Sequence, residues 1–133
     1  MKILNIAVGI IRNSQGEIFI TRRAADAHMA NKLEFPGGKI EEGETPEQAM
    51  IRELQEEVGI TVQGATLFDK LKYQFPDRHI TLWFWLVENW QGEPWGKEGQ
   101  PGEWIAQSAL NADDFPPANE PIINKLVQSA QAC

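Results

Sequence analysis

The 133-residue sequence predicts a mixed α/β sandwich, in which a β-sheet lies between α-helices. Three observations predict this fold class. Apolar strand candidates recur along the chain, two segments have the apolar period of amphipathic helices, and one strand candidate is apolar on both faces. The length fits a single domain covering residues 1–133, and a hydrophobic content of 42% is ordinary for a globular protein.

Strand candidates occupy the beginning and the middle of the chain. Residues 3–11 and 18–22 are apolar runs, and the polar residues 13–16 between them are typical of a turn that closes a hairpin. A third strand is indicated by apolar side chains that lie at even spacing from one another. These are Leu67, Leu71, Tyr73 and Phe75. Residues 79–87 are apolar on both faces, which predicts a central strand with structure on each side.

Two helices are predicted between and after these strands. The first covers residues 46–58, since Thr45 can cap its start, Gln48 completes a capping-box pattern and Gly59 can end it. The second begins near residues 119–121. Its apolar side chains at helical spacing are Ile122, Ile123, Leu126 and Val127.

Charge and cysteine content exclude several classes of function. The formal net charge of −7 disfavours binding to a nucleic acid polymer. The only cysteine, Cys133, cannot form an intramolecular disulfide, and nothing indicates an oxidising compartment. The apolar run at residues 3–11 is too short to span a membrane. These observations indicate a cytoplasmic protein that binds neither a nucleic acid polymer nor a membrane. We also expect a monomer that acts on a small molecule.

Negative charge is concentrated in residues 38–60, which contain seven glutamates and two basic residues. At about 100° per residue on a helix, Glu53, Glu56 and Glu57 share one sector, away from the apolar stripe. Adjacent carboxylates repel one another, and a divalent cation removes that repulsion. Hard oxygen ligands favour Mg²⁺ or Mn²⁺. The alternative is that these glutamates are helix formers on a solvated face.

The same segment follows the pattern of the Nudix box, so the chain resembles the Nudix hydrolases. That pattern is Gly, five residues, Glu, seven residues, Arg-Glu, an aliphatic residue, any residue, Glu-Glu, any residue, Gly and an aliphatic residue. Its positions are filled here by Gly38, Glu44, Arg52, Glu53, Leu54, Glu56, Glu57, Gly59 and Ile60. The resemblance implies the Nudix fold and cleavage of a nucleoside diphosphate derivative within its phosphate chain.

The resemblance also implies roles for individual residues of the box and of a later loop. The implied metal ligands are Gly37, Glu53, Glu56, Glu57 and Glu98, with Mg²⁺ as the metal and Mn²⁺ as a substitute. Arg52 is expected to orient one of the carboxylates. Glu53 is the first candidate for the general base that activates water, and Glu98 is the second. A solvated loop position is an equal alternative for Glu98.

Beyond the box, the chain is similar to the MutT branch of this family, which hydrolyses 8-oxo-dGTP. The similarity is carried by residues 20–23, 33–38, 75–79 and 111–121. It implies a nucleoside triphosphate substrate and the products nucleoside monophosphate and pyrophosphate. The implied substrate-binding residues are Arg23, His28, Glu34, Phe35, Pro36, Gly37, Gly38, Arg78 and Asn119.

Asn119 is the residue to which the resemblance assigns recognition of the base. Oxidation at C8 converts guanine N7 from an acceptor into an N–H donor, while O6 remains an acceptor. A carboxamide can then donate to O6 and accept from N7–H. The structural alternative for Asn119 is the N-cap of the last helix. Similar alternatives are a core position for Phe35 and a surface position for Arg23, His28 and Arg78.

Two other functions are compatible with the box. One is a Nudix hydrolase for another substrate, such as ADP-ribose or a dinucleotide. The other is a catalytically silent Nudix domain that binds a ligand, although the intact Glu53, Glu56 and Glu57 argue against it. The sequence contains no Gly-x-Ser-x-Gly, no His-Glu-x-x-His and no paired-cysteine motif, so other hydrolase classes are not indicated.

Overall fold

The computed structural model describes residues 2–23 and 31–131, in which seven strands and two α-helices are found. The elements are β1 (Lys2–Ile11), β2 (Glu17–Arg22), β3 (Leu33–Glu34), β4 (Gly37–Lys39), α1 (Pro46–Val58), β5 (Thr61–Phe75), β6 (Arg78–Gln91), β7 (Gly102–Ala106) and α2 (Glu120–Gln131). Three short 3₁₀ turns precede α2, at Gln107–Ala109, Ala112–Asp114 and Pro117–Asn119. Neither helix in these ranges is long and apolar enough to cross a lipid bilayer.

The strands form two sheets. In the four-stranded sheet the order is β4-β1-β6-β5, with β1 and β6 parallel and the other two pairs antiparallel. The second sheet has the order β3-β2-β7 and is antiparallel. The predicted mixed α/β fold is confirmed, and so is the central position of β6. The division of the strands between two sheets was not predicted.

Two apolar cores pack on opposite faces of the larger sheet. One contains Ile122, Ile123 and Leu126 of α2, together with Phe84 of β6. The other contains the buried side chains of α1 and Val87 of β6. Because β6 supplies side chains to both cores, it is apolar on both faces, as its sequence predicted.

Helix α1 has the start and end that its sequence predicted. The Thr45 hydroxyl accepts a hydrogen bond from Gln48 N at 3.1 Å, and the Gln48 side chain accepts one from Thr45 N at 2.9 Å. At the other end, Gly59 has a left-handed φ of 73°, which glycine adopts without a steric penalty. These caps fix the length of the helix and therefore which side chains form its acidic face.

The predicted hairpin between the first two strands is wrong. The turn itself forms, since Gly16 N donates to Asn13 O at 3.1 Å. However, β1 and β2 enter different sheets and are joined only by an isolated bridge between Arg12 and Ile18 in this part of the chain. The physical reason is that both edges of β1 are already paired, one with β4 and one with β6.

The even-spaced apolar pattern of β5 is interrupted by a bulge. Leu67 pairs with Trp85 and Asp69 pairs with Phe84, so β5 contains one extra residue between two consecutive pairs with β6. Consequently Leu67 is 50% exposed, whereas Phe68 packs against the α2 core. Leu71 packs against the same core and Tyr73 is half-buried. The prediction of a strand is confirmed, and the bulge is the reason why Leu67 does not share the buried face of Leu71.

Candidate active site

Strand β4 and helix α1 bring backbone and carboxylates into direct contact. Gly37 N donates to Glu57 Oε2 at 3.1 Å. Gly38 lies so close to Glu53 that a Cβ atom at residue 38 would overlap the Glu53 carboxylate. The two glycines thus allow the loop to approach the acidic face of the helix. This close approach explains why residue 38 of the box is glycine.

Arg52 holds the carboxylates of this region in place. Its guanidinium donates to both oxygens of Glu44, from Nε at 2.7 Å and from Nη2 at 2.9 Å. The third nitrogen, Nη1, donates to Glu53 at 2.8 Å and to Glu56 at 3.3 Å. Nη2 also donates to the Lys39 carbonyl at 3.1 Å. This geometry fits the orienting role expected of Arg52, in which a charged fork fixes a carboxylate rotamer.

Glu44 occupies a specified position of the box, but the sequence assigned it no role. The structure shows it as the main partner of Arg52. The hydrogen bonds from Arg52 and from the backbone of Glu41 lower the pKa of Glu44 to about 2. The Glu44 carboxylate is therefore charged at neutral pH, and its ion pair with Arg52 is lost only as the pH falls toward that value.

Glu57 is at the centre of the acidic cluster. The pKa of Glu57 is raised to about 7, mainly by burial and further by the charges of Glu34, Glu98 and Glu53, while the hydrogen bond from Gly37 N opposes these effects. The structure therefore places three other carboxylates within electrostatic range of Glu57. Such an arrangement is unfavourable unless positive charge is added between them.

Glu98 approaches this cluster through the loop that carries it. Within the loop, Lys97 N and the Gln100 side chain both donate to the Glu57 carbonyl at 3.2 Å. The backbone N–H of Glu98 donates to the Gln100 side chain at 3.0 Å. The loop is thus attached to the end of α1, while the Glu98 side chain is exposed to solvent.

The donor set fits a divalent metal ion. In residues 2–23 and 31–131, no three His, Cys, Asp or Glu side chains already converge on one metal position. The carboxylates of Glu53 and Glu56 are held by Arg52, and that of Glu57 is held by Gly37 N. All are hard oxygen donors on adjacent turns of one helix, which is the chemistry that Mg²⁺ and Mn²⁺ prefer.

A cleft of about 260 Å³ adjoins the acidic face. It is lined by Ile6, Val8, Arg23, Glu34, Phe35, Gly37, Gly38, Lys39, Pro116 and Asn119. Arg23 Nη1 and Glu34 Oε2 form an ion pair of 2.8 Å within this lining. Burial raises the pKa of Glu34, and the charge and hydrogen bond of Arg23 oppose that effect. The cleft therefore combines apolar walls with a small number of polar groups, as small-molecule sites do.

Asn119 projects from the 3₁₀ turn before α2. Its backbone N–H donates to Pro116 O at 3.0 Å, but its carboxamide makes no hydrogen bond in the described residues. The N-cap bond that was the structural alternative for Asn119 is therefore not formed in the described part of the chain. The half-buried carboxamide lies in the lining of the cleft and is available to a ligand.

Phe35 belongs both to the core and to the cleft. Its ring stacks on Phe115 with centroids 5.3 Å apart and meets the edge of Phe84 at 6.3 Å. Only 5% of Phe35 is exposed, yet that part lies in the cleft lining. A core position and a place in the substrate cleft, the two alternatives for Phe35, are therefore compatible.

Two of the residues implied to bind substrate, Arg78 and Pro36, do not line this cleft. Arg78 is not one of the described residues that line the cleft. Its guanidinium lies 3.4 Å from the Asp77 carboxylate and 4.9 Å from the Phe75 ring centroid. Pro36 is buried, and its carbonyl accepts from Gly9 N at 2.8 Å. His28 lies outside the described residues.

Four residues of the cleft were not among the sequence candidates. These are Ile6, Val8, Lys39 and Pro116. The alternation of β1 places Ile6 and Val8 on one face, and this signal could have marked them as neighbours. Nothing local to Lys39 or Pro116 indicated a cleft, because their proximity depends on the packing of β4 and the last turn.

Comparison with known proteins identifies the family of this chain. A family model described as the NUDIX domain matches residues 7–125. The chain belongs to the NUDIX domain family. Its NUDIX domain is 81% identical to an 8-oxo-dGTP diphosphatase of Escherichia coli strain K12, over 95% of this chain and 98% of the relative. A protein of the same description from Haemophilus influenzae is 49% identical, over 95% of this chain and 93% of the relative.

A solved structure supports the same fold for this NUDIX domain. It comes from work on MutT of Aliivibrio salmonicida and Vibrio cholerae, and it superposes with a TM-score of 0.84. Its sequence is 43% identical, and the match covers 96% of this chain and 99% of that one. The predicted Nudix fold and the predicted resemblance to the MutT branch are therefore confirmed.

The contact between Gly38 and Glu53 yields a prediction for this NUDIX domain. In Gly38→Ala the new methyl group would displace the Glu53 carboxylate, because flexible side-chain atoms yield more easily than backbone. We expect kcat to fall about 10- to 100-fold, since small displacements of catalytic groups have effects of that size. Steady-state hydrolysis measures the effect.

Gly64→Ala is a matched control for this prediction. A Cβ atom at residue 64 would meet Asn89 Nδ2 at 3.5 Å, an ordinary contact that involves none of the acidic-face glutamates. We expect near-normal kcat in this variant. A near-normal kcat in both Gly38→Ala and Gly64→Ala would show that the approach of Gly38 to Glu53 has no part in catalysis.

Proposed function

We propose that this chain hydrolyses 8-oxo-dGTP to 8-oxo-dGMP and pyrophosphate by attack of water on the β-phosphorus. One observation carries the proposal. Gly37 and Gly38 contact the acidic face of α1 and also line the cleft that contains the Asn119 carboxamide. The residues proposed to act on the phosphates therefore lie next to the cleft in which the base would be recognised. The E. coli and H. influenzae relatives, both described as 8-oxo-dGTP diphosphatases, support the substrate.

The proposed cofactor is Mg²⁺, for which Mn²⁺ can substitute. Glu53, Glu56 and Glu57 would hold it, with the Gly37 carbonyl and Glu98 as further ligands. Such an ion supplies positive charge that neutralises phosphate oxygens and acidifies nearby water. The three glutamates lie on one helix face and Glu98 lies within electrostatic range of Glu57, which supports this ligand set.

We assign the general base to Glu53. Arg52 Nη1 fixes one of its oxygens at 2.8 Å, and its other oxygen can accept a proton from water. Arg52 thereby acts as a positioning residue, because its contacts are to carboxylates. Glu98 is the second candidate for the base. Its exposed side chain lies on a loop attached to the end of α1.

Recognition of the base is proposed for Asn119. Its carboxamide would donate to O6 of 8-oxoguanine and accept from N7–H, whereas normal guanine has no hydrogen on N7. Phe35 forms an apolar wall for the base, and Arg23 provides a cation that offsets part of the acidic field. Contacts from Pro36, His28 and Arg78 remain predictions of the sequence resemblance.

The biological consequence would be removal of an oxidised nucleotide before DNA polymerase can use it. Oxidised dGTP in the precursor pool leads to replication errors, so its hydrolysis protects DNA synthesis. We propose that the enzyme acts in the cytoplasm, where this pool is found. One chain supplies the acidic face and the cleft together, which supports action as a monomer.

A substrate panel tests the proposal directly. Purified protein with Mg²⁺ is incubated separately with 8-oxo-dGTP, dGTP, ADP-ribose and a dinucleotide, and the products are identified by chromatography. We expect the highest kcat/KM for 8-oxo-dGTP, with 8-oxo-dGMP and pyrophosphate as products. A higher kcat/KM for ADP-ribose or the dinucleotide would support the alternative substrate class and refute this one.

Removal of the metal tests the cofactor separately. We expect excess chelator to abolish hydrolysis, because the acidic face would then repel the substrate phosphates. Addition of Mg²⁺ or Mn²⁺ should restore it, and circular dichroism should show an unchanged fold throughout. Full activity in excess chelator would contradict the metal mechanism.

A further inference from the structure

The turn that carries Asn119 is tied to the larger sheet by one tyrosine. Tyr73 lies on β5, opposite Ile80 of β6. Its hydroxyl donates to the carbonyl of Ala118 at 2.8 Å. Burial raises the pKa of Tyr73, so the hydroxyl keeps its proton and remains a donor at neutral pH.

The accepting carbonyl belongs to the peptide group that joins Ala118 to Asn119. A peptide group is planar, so the Ala118 oxygen, the Asn119 nitrogen and the Asn119 Cα move as one unit. The same unit donates from Asn119 N to Pro116 O at 3.0 Å. The Tyr73 hydroxyl therefore holds in place the backbone from which the Asn119 side chain enters the cleft.

The orientation of this side chain decides what it can recognise. A carboxamide rotated by half a turn exchanges its donor and its acceptor, and would then match a different base edge. The Asn119 carboxamide makes no hydrogen bond to the described part of the chain that could fix it. The hydrogen bonds that hold this residue are therefore those of its backbone, from Asn119 N to Pro116 O and from Tyr73 to the Ala118 carbonyl.

We propose that Tyr73 is a positioning residue that sets base selectivity by fixing the Ala118–Asn119 peptide. The proposal rests on the function proposed above, in which Asn119 reads the oxidised edge of guanine. Tyr73 acts through Asn119 and need not touch the substrate. It connects a rigid strand pair to a turn of three residues, which is a suitable support for a recognition group.

Tyr73→Phe tests the proposal, because it removes only the hydroxyl. We expect the ratio of kcat/KM for 8-oxo-dGTP over dGTP to fall about three- to tenfold, the size expected for one hydrogen bond. The change should come from a higher KM for 8-oxo-dGTP. The kcat for dGTP should stay near normal, since the acidic face is unchanged.

Two further variants separate positioning from general stabilisation. Lys125→Met removes a different bond between α2 and β5, from Lys125 Nζ to Phe68 O at 3.0 Å, and should leave the selectivity ratio unchanged. In an Asn119→Ala background, Tyr73→Phe should have no further effect on the ratio, because its effect passes through Asn119.

The outcomes distinguish this inference from the proposed function. If the wild-type enzyme prefers 8-oxo-dGTP and Tyr73→Phe keeps that preference, the positioning role is overturned and the proposed function stands. If Tyr73→Phe lowers the melting temperature but leaves the ratio of kcat/KM for 8-oxo-dGTP over dGTP unchanged, the positioning role is likewise overturned. If Tyr73→Phe changes the ratio equally with and without Asn119, the role assigned through Asn119 is overturned. A wild-type enzyme without preference overturns both.

Discussion

Glu53→Gln is expected to lower kcat by about 10²- to 10⁴-fold, the range that a positioned general base contributes. The substitution keeps the size of the side chain but removes its basicity. Arg52 can still donate to the remaining carbonyl oxygen, so the local structure should persist. Steady-state rates with 8-oxo-dGTP at saturating Mg²⁺ measure the effect, and the Mg²⁺ dependence reports any loss of metal affinity.

Glu47→Gln provides the matched control for this prediction. Glu47 is an exposed residue in the first turn of α1, away from the acidic face, and its neutralisation should leave kcat near normal. Glu98→Gln compares the second candidate for the base. A near-normal kcat in Glu53→Gln together with a collapsed kcat in Glu98→Gln would transfer the role of base to Glu98.

Asn119→Ala is expected to change the preference of the enzyme more than its rate. Loss of the carboxamide leaves O6 and N7–H of 8-oxoguanine without partners, and each buried unpaired group costs about 1–3 kcal/mol. Normal guanine loses less, since its N7 could not pair with the carboxamide oxygen. The ratio of kcat/KM for 8-oxo-dGTP over dGTP should therefore fall roughly 5- to 150-fold.

Stability measurements distinguish recognition from a structural role for Asn119. Loss of an N-cap would cost about 1 kcal/mol. The Asn119 side chain forms no such bond in the described chain, so the denaturant midpoint should change little. Asn124→Ala is the matched control, because Asn124 is exposed on α2 and lies outside the cleft. An unchanged ratio with a lowered midpoint would contradict recognition by Asn119.

Sequence alone determined the parts of this protein that depend on neighbours along the chain. The caps of α1 follow from Thr45, Gln48 and Gly59, which act on backbone groups within one turn. Since the helix period is fixed, the same sequence also placed Glu53, Glu56 and Glu57 on one face. The sequence also predicted that β6 is apolar on both faces, because the faces of a strand follow from the alternation of neighbouring residues.

Tertiary structure decided which distant segments meet. The separation of β1 from β2, the attachment of the Glu98 loop to α1 and the contact from Tyr73 to Ala118 all join residues far apart in sequence. The bulge beside Leu67 also depends on pairing with β6. Such contacts depend on competition between alternative strand partners and packing arrangements across the whole chain. A local pattern carries no record of that competition. Periodicity therefore predicted the acidic face, and the family resemblance named Arg23, Glu34, Phe35, Gly37, Gly38 and Asn119, but the packing that joins them into one cleft with Ile6, Val8, Lys39 and Pro116 came only from the tertiary structure.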